Sequence, residues 1–172
     1  MIGSDGHCFV GARERRLQLA GPRCVAAREQ VGGTAGSVGF DLPGVTNSAG
    51  NLALHACGNL KHFVGAVLGG TGYVRAREAE FATRSGRRED VARQLRETAE
   101  VVATTLARLP ESALAAPYPE PHDGVQLSCG RYLLHLCVHL AFHLGQAGYL
   151  RRVLTGDART SGAVSLKALA GD

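Results

Sequence analysis

Residues 133–146 read LLHLCVHLAFHLGQ, and no other stretch limits the fold as tightly. The run belongs to a longer pattern, from about Ser128 to Thr155, with apolar side chains at helical spacing. Arg151 and Arg152 suit the C-terminal end of such a helix, where carbonyls are unpaired, and Gly156 suits its stop. Within the run, His135, His139 and His143 each follow the last by four residues. A helix advances about 100° per residue, so the three imidazoles share one face, about 40° to either side of His139. An apolar helix gains nothing from three imidazoles on one stripe.

The remaining periodicity also points to helices. In NSAGNLALHACGNLKHFVGAVLGG, Asn47 or Ser48 can cap a helix that Gly69 and Gly70 end. Leu52, Cys57, Leu60, Phe63, Val64, Val67 and Leu68 supply its apolar positions. From about Arg88, the positions Val91, Leu95, Thr98, Val102 and Leu106 recur at three and four until Pro110. Residues 71–86 read as a connection or short helical piece, and 110–126, with four prolines, as a long loop. Residues 13–31 read as helix interrupted by Gly21-Pro22, either kinked there or starting at Pro22. Residues 1–12 and 157–172 read as loose ends of a single domain spanning 1–172. With aromatics at 5%, no Trp, and plentiful Ala, Leu, Arg and Glu, composition favours an all-α fold over a sandwich or barrel. Helices predicted near 47–68, 88–109 and 128–155, with one before them, fit a four-helix bundle.

Charge and cysteine usage narrow the function classes. The net charge is +4, and the basic runs RERR (13–16) and RSGRRED (84–90) are not interleaved with aromatics. They read as solvated surface, and nucleic acid is not expected as a partner. No apolar run reaches the length of a membrane span, and no secretory signal pattern opens the chain. Five irregularly spaced cysteines (Cys8, Cys24, Cys57, Cys129, Cys137) without C-x-x-C suggest reduced thiols in a cytoplasm.

Two imidazoles four apart on a helix can chelate one ion; residues eight apart are separated by roughly 12 Å along the axis. At most one adjacent pair therefore serves a given metal, and spacing alone does not choose between His135 with His139 and His139 with His143. Catalytic zinc takes about three protein ligands and keeps one position open, so a third ligand must come from another helix. His55 and His62, seven apart with Asn59 between them, are the candidates; His7 and His122 fall in loops. Taken singly, His62 and His135 read as ordinary partly buried imidazoles. Cys57 and Cys137 each stand two residues from a histidine, about 200° round the helix, and so face away from the imidazoles.

Two segments, NSAGNLALHACGNLKHFVGAVLGGTGYVRAREAEF (47–81) and LLHLCVHLAFHLGQ, resemble the DinB/YfiT-like superfamily of four-helix bundles. In that family a histidine of the second helix joins an H-x-x-x-H pair of a later helix, followed by Gly-Gln, to bind a divalent metal. The resemblance spans roughly residues 20–155 and implies His55, His139 and His143 as ligands; His62 and His135, which spacing alone leaves open, remain the weaker alternatives. Relatives include metal-dependent transferases that use bacillithiol or mycothiol, and thiol-dependent isomerases.

An ion held by three neutral imidazoles keeps its full charge and an exchangeable position. Zn or Ni is the expected metal, and a coordinated thiol would be deprotonated outright. The resemblance thus implies transfer of a low-molecular-weight thiol to a small electrophile. The alternatives are a metal-dependent hydrolase, a metal-binding bundle without catalysis, and a helical module with no metal at all. Asn59 and Gln146 stand about one turn beyond His55 and His143 and are candidates to orient an imidazole or a substrate. The expected partner is a small-molecule substrate, and a homodimer is the candidate assembly.

Overall fold

A computed structural model describes residues 44–83 and 86–159. The helix expected within residues 13–31, and the tail beyond 159, lie outside the described residues. What is described is all-α: α1 (Ala49–Leu60), α2 (Arg77–Ala82), α3 (Arg88–Arg108) and α4 (Cys129–Thr155). The β contacts among these residues are two isolated bridges, Pro117 with Ser128 and His122 with Val125. No helix among them is long and apolar enough to cross a membrane.

Local chemistry sets the helix ends. Ser48 caps α1: its side chain accepts from the Asn51 N–H at 3.1 Å, and the Asn51 side chain accepts from the Ser48 N–H at 3.2 Å. Glu89 and Asp90 occupy the first turn of α3, where the helix dipole favours anions, and Pro110 follows its end. At the end of α4, Gly156 takes a left-handed conformation (φ 67°), and its N–H bonds the Arg152 carbonyl at 2.9 Å.

The helix expected over 47–68 is helical from residue 49 to 66, but it is not α throughout. Residues Lys61–Ala66 form a π-helical turn. The extra residue in that turn shifts every later side chain round the axis. Gly65 and Gly69 then lie against α3: a Cβ on Gly65 would come within 2.7 Å of Val101 Cγ1, and one on Gly69 within 2.5 Å of Thr105 Oγ1. The Phe63 carbonyl accepts the buried Tyr118 hydroxyl at 2.6 Å, which ties the proline-rich loop to this turn.

The core lies where α1, α3 and α4 meet. Leu60, Phe63, Val64, Val102, Tyr118, Tyr132, Leu136 and Leu140 pack together there. Each fully buried side chain of this size contributes about 1.5–3 kcal/mol. The buried stripe of α3 is Val91, Leu95, Thr98, Val102 and Thr105; Leu106 is only partly buried and packs at the edge. Between α1 and α3, Ala53 and Cys57 pack on Val91 and Leu95. That contact uses one side of α1 and leaves the side bearing His55 for α4 and α2.

Candidate metal centre

His55 sits in the middle of α1 and is buried; His139 and His143 sit one turn apart on α4 and are half-buried. Their Nε2 atoms converge. His139 Nε2 is 3.0 Å from His143 Nε2 and 3.4 Å from His55 Nε2. The three rings meet edge to face, with centroids 4.5–5.2 Å apart. Among the described residues, these three form a group whose ligand atoms all lie within 4.8 Å of one another.

The Nδ1 atoms of His55 and His143 each face an acceptor. His143 Nδ1 donates to Gln146 Oε1 at 2.8 Å, and His55 Nδ1 to Glu80 Oε2 at 2.9 Å. A neutral imidazole that donates from Nδ1 has a bare Nε2. His55 and His143 therefore both aim lone pairs at the space beside His139. A single hydrogen on His139 Nε2 can satisfy only one of them at a time. A cation in that space satisfies all three.

The spacing fits such a cation. With metal–nitrogen bonds of 2.0–2.1 Å, tetrahedral ligands stand about 3.3 Å apart, beside the 3.0 and 3.4 Å found. Protonation of His139 and His55 is disfavoured. Burial, then the neighbouring His143, His55 and His135, push His139 down to about 4. Burial also lowers His55, against the opposing pull of Glu80. Both imidazoles are thus held in the neutral form a metal requires.

The remaining histidines stand elsewhere. His62 lies with its ring against Phe63 and its Nε2 3.8 Å from Glu120 Oε2. His135 is exposed, its ring nearly parallel to His139 at 6.0 Å. His122 is in the loop, beside Asp123. Cys57 faces α3, with Thr98 as its hydrogen-bond partner, and burial raises its thiol. Cys137 is half-buried on α4.

Gln146 contacts an imidazole as its spacing suggests, but Asn59 does not fill the corresponding place at His55. Asn59 is buried on α1, and the His55 nitrogen that needed orienting is held by Glu80 of α2. Glu80 in turn is gripped by Arg75, Nε to Oε1 and Nη2 to Oε2, each at 2.7 Å. Neither residue stood out in the sequence. Glu80 lies in REAEF, which reads as an ordinary solvated acid on a short helix, and nothing in its spacing from His55 predicts the contact.

The DinB superfamily family model matches residues 25–147 of the chain. No curated protein and no solved structure gives a significant match.

Proposed function

The chain belongs to the DinB superfamily, and on that premise we propose that His55, His139 and His143 hold one divalent metal ion, zinc or nickel. We propose further that the protein uses this centre to transfer a low-molecular-weight thiol, of the bacillithiol or mycothiol kind, to small electrophiles. One observation carries the first part: three Nε2 atoms face one point while the outer nitrogens of His55 and His143 are bonded to Glu80 and Gln146.

A bound ion would supply a Lewis acid with a position left for the incoming thiol. The chain's own residues do the rest. Glu80 and Gln146 hold the His55 and His143 rings in one tautomer, so no hydrogen stands between the ligands and the centre. Among the described residues His139 and His143 are half-buried, and that is the side from which a small molecule would reach the centre. Cys57, two residues from His55, is turned into the α1–α3 core and away from the centre. In the transfer itself the cofactor sulfur forms an S–C bond to the electrophile. The leaving group departs with its electron pair, and the thiol proton passes to water.

The test is metal analysis of protein purified without a His tag, followed by assay of monobromobimane consumption with bacillithiol or mycothiol added. About one equivalent of metal and thiol-dependent turnover that His139→Ala abolishes are expected. Loaded protein inert to every thiol would favour a non-catalytic metal site, and turnover of esters or amides without thiol a hydrolase. Metal-free protein from a chelator-free preparation would overturn the first part.

A further inference from the structure

Helix α2 is only six residues long, too short to persist alone in water. It is held to α1 near its C-terminal end, where the buried Asn51 amide donates to the carbonyls of Glu80 at 2.9 Å and Thr83 at 2.8 Å. Ahead of its start, Arg75 closes a two-point ion pair with Glu80 on the same segment. The Glu80 side chain is 7% exposed and lies against Gly58, one turn past His55. A Cβ on Gly58 would stand 1.9 Å from Glu80 Oε1. The carboxylate reaches His55 because residue 58 has no side chain.

We propose that Arg75, Glu80 and Gly58 act together as positioning residues for His55. By fixing its tautomer and its ring, they set the protein's affinity for a divalent ion. The proposal rests on the reading that His55 is a metal ligand. Two arrangements of His55 compete. In one, Nδ1 carries the hydrogen and donates to Glu80 Oε2. In the other, a bare Nδ1 accepts from Arg75 Nη2, 3.1 Å away, and the hydrogen on Nε2 blocks the centre. Glu80 Oε2 decides between them. A bare nitrogen 2.9 Å from a carboxylate oxygen would set lone pair against lone pair. Arg75 Nη2 already donates to that oxygen at the shorter 2.7 Å. A hydrogen bond to an ionised acceptor is also roughly twice as strong as a neutral one. The two donors therefore share Oε2, and Nε2 is left bare.

Glu80→Gln and Gly58→Ala probe this device by different routes. The Gln amide breaks the ion pair and can turn its NH2 toward Nδ1, which favours the blocked tautomer. The Ala methyl removes no polar group; it displaces the carboxylate by contact alone, at a position where Ala otherwise favours helix. Two quantities are read on the full-length, tag-free chain after chelator treatment: zinc affinity by calorimetry, and imidazole nitrogen shifts of His55 by NMR without metal. The wild type is expected to show hydrogen on Nδ1. Both variants are expected to lose that signature and to bind zinc 10- to 100-fold more weakly, with unchanged helix content. Should Gly58→Ala fail to fold, Glu80→Gln carries the test. Wild-type tautomer and wild-type affinity in the folded variants would overturn the proposal, as would hydrogen on Nε2 in the wild type. If the wild type binds no zinc yet the variants shift the tautomer, the metal reading fails while the positioning of His55 by Glu80 stands.

Discussion

His139 lies between the other two imidazoles, so His139→Ala should remove most of the effect of metal on stability. Its Nε2 is the atom within 3.4 Å of both His55 and His143. An ion that binds the folded chain alone stabilises it by RT ln(1 + [L]/Kd), about 2.7 kcal/mol when the metal is at 100 times Kd. For a chain of this size each kcal/mol moves the melting temperature by about 2–4 °C. Zinc at that excess should therefore raise the wild-type midpoint by about 5–11 °C over the same protein in chelator. The substitution also removes a half-buried ring and its packing. That loss is present with and without metal, so the difference between the two midpoints within each variant isolates the ion. In His139→Ala the difference should shrink to about a quarter of the wild-type value or less, since two nitrogens on separate helices remain. Differential scanning calorimetry with and without chelator measures it. A variant that keeps the full zinc-dependent rise would show that His139 is not a ligand. A wild type without any rise would remove the metal site from the account.

Further expectations concern pH, the buried hydroxyl and the cysteines. His139, and in the same direction His55, is depressed in the folded chain by burial first, so the unfolded chain binds more protons below its ordinary value of 6.5. The metal-free protein should therefore hold this contribution above pH 6.5 and lose it as pH falls toward about 4; denaturant titrations in chelator giving a flat profile over that window would contradict the burial assigned here. Tyr118→Phe leaves the Phe63 carbonyl without its buried donor and should cost about 1–3 kcal/mol in chemical denaturation, while zinc stoichiometry stays the same. With all five cysteines replaced by Ala or Ser, thiol-dependent loss of monobromobimane should persist when bacillithiol or mycothiol is added. Activity of the wild type without added thiol, abolished by one cysteine change, would make this a cysteine enzyme instead.

Different parts of this molecule were legible in the sequence to different degrees, and the reason is the range over which each feature is determined. The bounds of α1, α3 and α4 depend on Ser48, Pro110 and Gly156, residues that act on the backbone within a few positions of themselves. The facing of His139 and His143 follows from a spacing of four on one helix. The orientation of Cys57 follows from a spacing of two. The choice of His55 over His62 did not follow from spacing; it came from family likeness. Glu80 was illegible for a stronger reason. Its neighbour Glu78 is the same residue type on the same short helix and is exposed. What separates them is the empty Cβ position at Gly58, twenty-two residues earlier, and the guanidinium of Arg75 five residues earlier. A glycine in a helix ordinarily reads as a weakness of about 1 kcal/mol. In HACGN, three residues past an imidazole, it is instead the space through which a carboxylate from another helix reaches that imidazole.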